Sequence, residues 1–232
     1  MSTYGQFCPV AKAAEIFAER WTPLILRELL MGSHRFGDLE RGLPKISRSL
    51  LSQRLRSLES VGLVERRADP AGRRPEYHLT QAGQDLFDVV VRLGEWSQRW
   101  FNPLLDLDDL DPQLLMWDMH RRLHADRLPA RQVVAQFDFR GARTGSYWLV
   151  LEPGAPSVCW DPPGFDVDLL VEADTLALHR VWLGHHSLAN ALASGEIALD
   201  GPRELTRAFP DWLALSSLAR IQPGPGSIAR AS

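Results

Sequence analysis

Hydrophobic positions in the first hundred residues recur at the three- and four-residue spacing of amphipathic helices. This spacing predicts four short helices, which open at Pro9, after Thr22, near Arg35 and after Ser47. Thr22 and Ser47 are residue types that cap helix N-termini with a side-chain oxygen. The fourth helix has one apolar face, which we expect to be buried and which consists of Leu51, Leu55 and Leu58.

The helical pattern then gives way to two short strands. Residues 63–67 and 75–79 flank a turn at residues 69–72, and this arrangement predicts a β-hairpin. Thr80 follows as the cap of a fifth helix that extends to about Phe101. Consecutive helices followed by a hairpin with a basic tip form the winged helix-turn-helix order. The first half of the chain is therefore predicted to be a winged helix-turn-helix, mostly α with a β-hairpin wing.

The outer face of the fourth helix carries side chains suited to the DNA major groove. Arginine can pair with guanine O6 and N7, glutamine can pair with adenine N6 and N7, and serines reach phosphates. The candidate DNA-binding residues on this helix are Ser47, Arg48, Ser49, Ser52, Gln53 and Arg56. A solvated amphipathic helix would show the same polar face. The basic hairpin favours DNA binding, with Arg73 and Arg74 as candidate contacts to the backbone or minor groove.

Charge is distributed unevenly along the chain. The net charge is −3, but residues 1–104 carry 15 Lys and Arg against 12 Asp and Glu. Residues 105–232 carry 11 basic residues against 17 acidic ones. This division favours nucleic-acid contact by the first half alone.

Several motifs occur in order over residues 8–100. They are Cys-Pro-Val at 8–10, Arg-Trp-Thr-Pro-Leu-Ile-Leu-Arg-Glu-Leu at 20–29, Arg-Phe-Gly-Asp-Leu at 35–39, Ile-Ser-Arg-Ser-Leu-Leu-Ser-Gln-Arg-Leu-Arg-Ser-Leu-Glu at 46–59, Gly-Leu-Val-Glu-Arg at 62–66 and Tyr-His-Leu-Thr-Gln-Ala-Gly at 77–83. Together they resemble the HxlR-type helix-turn-helix regulators of bacteria, which bind DNA as dimers. The resemblance implies double-stranded DNA as the partner, DNA reading by the helix after Ser47 and backbone contact by the wing.

The same resemblance makes Cys8 a candidate redox sensor. In some HxlR-type regulators the cysteine of this motif senses oxidants or electrophiles. The expected position at a helix N-terminus favours the thiolate. The alternative is a buried cysteine that packs as a small hydrophobic side chain.

The fifth helix is longer and more apolar than one winged domain requires. Its apolar stripe includes Leu93, Trp96 and Trp100, which we predict to form the interface of a homodimer. The stripe could instead pack on the second half of the chain, and both contacts can hold together.

The second half of the chain combines strands with helices and is predicted to be an α+β domain. We expect a domain at 1–104, a linker at 105–112, a second domain at 113–221 and a disordered tail at 222–232. The strands are predicted at 132–140, 147–151, 157–161, 167–172 and 196–200, and the helices after Asp111 and at 175–183, 187–194 and 202–217.

This half also resembles sterol-carrier-protein-2-like domains, which enclose an apolar cavity. The resemblance rests on Ser-Gly-Glu-Ile-Ala-Leu-Asp-Gly at 194–201 together with Leu205, Phe209 and Trp212. It implies an apolar small-molecule effector. The candidate pocket residues are Trp148, Trp160 and Trp182, although aromatic residues at such spacings also form ordinary cores.

Other function classes find no support in the sequence. No apolar run approaches the ~18–20 residues of a membrane span, and from the first residues we expect no signal peptide. Two cysteines fit a reducing cytoplasm. His120 and His124 have a zinc-compatible spacing, but no third ligand follows and we expect surface histidines. We therefore predict no metal, no cofactor and no catalysis. The alternative to an effector-controlled regulator is a lipid carrier whose winged helix mediates protein contacts.

Overall fold

The fold comes from a computed structural model, which describes residues 3–69, 74–101, 105–222 and 224. The chain divides into two compact units, Met1–Gly94 and Glu95–Ser232. The division falls inside a helix, N-terminal to the linker expected at 105–112, which stays a prediction. Of the tail expected to be disordered, only Gln222 and Gly224 are described. No helix among the described residues is both long enough and apolar enough to span a membrane.

The first unit contains the predicted series of helices and a hairpin. Its elements are α1 (Pro9–Phe17), α2 (Thr22–Leu30), α3 (Phe36–Gly42), α4 (Arg48–Ser60), β1 (Val64–Arg67), β2 (Glu76–Leu79), α5 (Gln81–Gln84) and α6 (Phe87–Trp100), the last of which continues into the second unit. Strands β1 and β2 pair antiparallel, with Val64 opposite Leu79. The predicted burial of Leu51, Leu55 and Leu58 is confirmed, and they join a core that includes Ile25 and Leu39.

Two details of the predicted helices are wrong. Thr22 is the first residue of α2 rather than its cap, because the preceding Trp21 adopts a left-handed backbone with φ of 77°. The fifth helix is split into α5 and α6 by a turn at residues 85–86. Thr80 does cap α5, since its Oγ1 accepts from the Gly83 amide at 3.3 Å. A Cβ at Gly83 would overlap the carbonyl of Leu63. The backbone of α5 therefore lies against the start of the hairpin, one residue before α5 ends.

A buried carboxylate joins α2 to α3. Glu28 is fully buried, and its Oε1 lies 2.7 Å from Arg27 Nη2 while its Oε2 accepts from Ser33 Oγ at 3.2 Å. The same Arg27 nitrogen donates to the carbonyl of Gly42 at 3.3 Å. Burying a carboxylate is costly unless hydrogen bonds and an opposite charge satisfy it, and this network supplies both.

The second unit is an α+β structure with one mixed sheet. Its elements are α7 (Pro112–His120), β3 (Val133–Arg140), β4 (Gly145–Leu151), β5 (Ser157–Cys159), β6 (Leu169–Asp174), α8 (Thr175–Trp182), α9 (Leu188–Ala193), β7 (Ile197–Asp200) and α10 (Arg203–Trp212). The strand order is β5-β4-β3-β6-β7, in which β3 and β6 are parallel and the other neighbours antiparallel.

One face of this sheet forms the main core with the helices. Phe137 and Leu149 pack there with residues of α7, α8, α9 and α10, among them Phe209 and Trp212. The opposite face carries a smaller cluster of Val134, Trp148 and Val150.

The last helix ends at Trp212 and not near Ser217, as the sequence predicts. The chain instead returns beside residues 122–124, where Leu213 forms a β-bridge with Leu123. The amide of His124 donates to Trp212 O at 2.9 Å, and the amide of Ala214 donates to Arg122 O at 2.9 Å. These backbone bonds replace the helical ones that residues 213–217 would make.

The Glu28 network predicts that alanine substitutions at two glycines of α3 have very different effects on the stability of the first unit. A Cβ at Gly42 would overlap the buried Glu28 carboxylate, whereas a Cβ at Gly37 meets nothing within 4 Å. Gly42→Ala should therefore destabilise the first unit by about 1–3 kcal/mol, as overpacking does. Urea unfolding of the full chain, followed by hydrogen exchange of residues 22–42, measures the change. Gly37→Ala is the matched control and should be neutral or stabilising; equal effects of the two substitutions would contradict the account.

Candidate nucleic-acid interface

The N-terminal half of α4 presents a polar surface. Ser47 caps the helix, because its Oγ accepts from the Leu50 amide at 3.3 Å. The predicted base- and phosphate-contacting side chains are exposed, except that Ser52 is half-buried: Ser47, Arg48, Ser49, Ser52, Gln53 and Arg56. The structure thus brings these six residues together on one helix, with the leucine face turned into the core.

Arg48 is held in place by α3. Its Nε lies 3.2 Å from Glu40 Oε1, and its guanidinium lies 5.5 Å from the centre of the Phe36 ring. The Arg48 side chain is still 70% exposed. Glu40 is the carboxylate that a DNA phosphate or guanine would have to replace as the partner of this guanidinium.

Arg54 has a different role, which the sequence reasoning missed. Its Nη2 lies 2.8 Å from Glu19 Oε2, and its Nε donates to the carbonyl of Arg20 at 3.1 Å. The side chain is only 19% exposed, so it fixes α4 against the segment just after α1. Its partial burial could have been inferred from its position three residues after Leu51, at the border of the buried face of α4.

The wing carries arginines on both faces of the hairpin. Arg66 lies over the Tyr77 ring, with 5.9 Å between its guanidinium and the ring centre, and Arg67 donates to Glu65 Oε1 at 2.8 Å. Arg74 is exposed. The other predicted wing contact, Arg73, is outside the described residues.

Two histidines stack beside the base of the wing, a feature that no pattern in the sequence predicts. The rings of His34 and His78 are 4.2 Å apart between centres. Glu76 contacts His78 at 3.1 Å and Arg35 at 3.2 Å. The hydrogen bond with His78, followed by that with Arg35, lowers the pKa of the Glu76 carboxyl below its ordinary value.

Helix α6 leaves part of its apolar side uncovered. Leu86, just before it, and Val90 pack on the core of the first unit. In contrast, Leu93 is 45% exposed and Trp96 is 52% exposed, while Trp100 is half-buried. Two of the three predicted dimer residues therefore lie on an open apolar surface within the chain.

Cys8 stands where the sequence places it, directly before α1. It is the N-cap residue and half-buried, and it makes no side-chain capping bond. The sensing role suggested for Cys8 stays a prediction.

The predicted aromatic pocket is not assembled. Trp160 and Trp182 pack with the main core of the second unit, but Trp148 lies in the cluster on the opposite face of the sheet. Adjacent strand residues point to opposite faces of a sheet. Tyr147 packs against the main core, so its neighbour Trp148 points away from that core. The three tryptophans therefore cannot line one cavity.

The two histidines with zinc-compatible spacing have different surroundings. His120 stacks on Trp117 at the end of α7, and His124 follows that helix in the segment facing Leu213. Within the described ranges, no group of three or more His, Cys, Asp or Glu side chains is placed to hold a metal ion.

Comparisons with known proteins concern the N-terminal part of the chain. The model of the HxlR-like helix-turn-helix family matches residues 16–104. The uncharacterized HTH-type transcriptional regulator YvaP of Bacillus subtilis is 39% identical over 101 residues, which are 43% of this chain and 94% of that protein. The regulator Rv3095 of Mycobacterium tuberculosis, likewise uncharacterized, is 49% identical over 94 residues, 39% of this chain and 58% of that protein.

Among solved structures, the reduced form of the regulator YodB from B. subtilis is 32% identical. That match covers 40% of this chain and 93% of YodB, with a TM-score of 0.36. The assignment rests on the family model and on the sequence identity to YvaP. The chain belongs to the HxlR-like helix-turn-helix family and is a DNA-binding transcriptional regulator.

Proposed function

We propose that two copies of this chain bind a two-fold DNA site through α4 and the wing, and that the second unit senses a small molecule. The single observation that carries the DNA-binding part is the polar face of α4. Four features support it together: the Ser47 cap, the buried leucines, the Arg54 contacts with the segment just after α1 and the exposed Arg56. A helix held in this way offers its first turns to the major groove.

Within this proposal, the residues of α4 divide by chemistry. Arg48 and Arg56 read guanine edges and Gln53 reads adenine, because these side chains can make paired hydrogen bonds there. Ser47, Ser49 and Ser52 contact phosphates. Arg73 and Arg74 bind the backbone or the minor groove without reading sequence.

The dimer rests on the open surface of α6. Val89, Leu93 and Trp96 are exposed at three- and four-residue spacing, so they form a stripe along one side of the helix. Large apolar side chains gathered on a surface mark an interaction site. A second copy of the same stripe is the partner that a two-fold DNA site requires.

The sensor role belongs to the second unit. Its acidic balance makes it a poor partner for phosphate, and residues 194–212 carry the resemblance to sterol-carrier-protein-2-like domains. A ligand changes DNA affinity only if it binds one conformation of the regulator better than another. Helix α6 is suited to carry this preference, because it begins in the first unit and ends in the second.

Substitutions on α4 and on the wing should affect DNA binding differently. Arg48→Ala, Gln53→Ala and Arg56→Ala should each cost roughly 1–3 kcal/mol of specific binding to the DNA upstream of the chain's own gene. Arg74→Ala should weaken binding evenly across sequences and flatten its salt dependence. Fluorescence anisotropy at several salt concentrations, with an unrelated DNA as competitor, measures both effects. Wild-type affinity in all three α4 variants would show that α4 does not read the DNA.

A charge placed in the α6 stripe should dissociate the dimer. Leu93→Asp would bury a carboxylate against apolar side chains, which is costly without a partner. Analytical ultracentrifugation should show a monomer at micromolar concentration, and DNA affinity should fall with it. Leu93→Met is the control, since it keeps an apolar side chain and should keep the dimer. A Leu93→Asp protein that remains dimeric would rule out this interface.

A further inference from the structure

A groove in the second unit is separate from the surfaces described above. It lies between the segment after α8, residues 184–187, and the returning chain at 213–220, with His124 at its side. Its volume is ≈ 520 Å³. Sites for small molecules commonly have volumes in this range.

The lining of this groove is basic and partly apolar. His124, His185, His186 and Arg220 contribute the ionisable side chains, and none of the described residues that line the groove is acidic. His186 is already in contact with a carboxylate, since its Nε2 lies 3.1 Å from Glu196 Oε2. Aliphatic side chains complete the wall: Leu213, Ala214, Leu215 and Ala219. Such a surface fits an anion that also has an apolar body.

The backbone around the groove is held in an unusual conformation. Leu215 has a positive φ of 52°, which is rare for a bulky side chain, and its carbonyl accepts from Arg122 Nε at 2.6 Å. Gly184 has a φ of 77°, and a Cβ there would overlap the carbonyl of Ala219. The amide of Ser216 donates to Trp182 O at 3.0 Å. Strained backbone that its surroundings maintain is often found at ligand-binding sites.

The groove is also connected to the last turn of α6. The buried side chain of Gln98 donates from Nε2 to Leu183 O at 3.5 Å and lies 2.6 Å from His185 Nε2. Burial, followed by the charge of Arg180, lowers the pKa of His185. The lowered pKa favours the neutral ring, whose Nε2 can accept from the Gln98 amide.

We propose that this groove binds a small organic carboxylate with an apolar body, and that the bound anion releases Gln98 from His185. This inference rests on the sensor role proposed for the second unit, and it names the site and the chemistry of the effector. A carboxylate beside His185 favours the protonated ring, with the proton taken from solvent. The Nε2–H then becomes a donor and cannot accept from Gln98, so the amide must turn or leave.

Other charges around His185 act on the same equilibrium. Arg180 opposes protonation of His185, and the charge of Arg220, which lines the same groove, acts in the same direction. The carboxylate must therefore outweigh these cations, which also attract it. Because Gln98 belongs to α6, its release acts directly on the helix shared by both units.

Titration calorimetry on the full chain tests the site. Octanoate and benzoate are the probes, and 1-octanol and inorganic phosphate are the comparison ligands. At least one carboxylate should bind more tightly than either comparison ligand.

Arg220→Gln and His124→Gln should each weaken carboxylate binding roughly tenfold, as the loss of a charge-assisted hydrogen bond does. Arg207→Gln, an exposed arginine of α10 outside the groove, is the control and should leave the affinity unchanged. Binding of neither carboxylate, equal binding of 1-octanol or phosphate, or wild-type affinity in both groove variants would overturn the proposal.

A second measurement tests the connection to α6. The carboxylate that binds should change the DNA affinity of the wild-type chain by about fivefold or more. Gln98→Leu should keep both carboxylate binding and basal DNA binding but lose this response, whereas the neighbouring Ser97→Ala should retain it. A chain that binds DNA with no response to the carboxylate, or a Gln98→Leu protein that still responds, overturns the connection alone. Failure to bind DNA without any carboxylate would instead contradict the proposed function, and calorimetry decides the groove independently of that result.

Discussion

The close contact between the buried Glu28 carboxylate and Gly42 sets the geometry on which the DNA-binding unit depends. No side chain larger than hydrogen fits at Gly42, and Arg27 bonds to both the carboxylate and the Gly42 carbonyl. The spacing of α2 and α3 follows from this contact. Five residues separate the end of α3 from the start of α4, and Arg54 fixes α4 to Glu19, just after α1. The polar face of α4 is therefore a consequence of buried contacts and not only of its own sequence.

Helix α6 belongs to both units, since it begins in the first and ends in the second. Val90, in the first turns of α6, packs on the core of the winged module, and Gln98, in its last turn, contacts His185 within the second unit. Between them lie Leu93 and Trp96, which are exposed within one copy of the chain. One helix thus combines the proposed dimer interface with the proposed route from the effector groove. In the proposed mechanism, a ligand that changes the last turn acts on DNA binding through this helix.

The sequence predicted the elements better than the contacts between them. Periodicity and capping residues located α4 and the hairpin, because those signals are local: Ser47 does cap its helix, and Leu51 does face the core. The early end of α10 could not be predicted, since it depends on residues 213–214 pairing with residues 122–124 far along the chain. The same limit explains the aromatic pocket. Alternation along a strand does not say which face of the sheet a helix will cover. Trp148 lies on the opposite face of the sheet from Trp182.

In the proposed complex, two copies of the chain place their α4 helices in successive major grooves of one DNA site. Hydroxyl-radical footprinting of the full chain on the DNA upstream of its own gene tests this most directly. We expect two protected half-sites related by two-fold symmetry, with centres about 10 base pairs or a multiple of that distance apart. A single unpaired half-site, protected at a concentration that saturates binding, would contradict it.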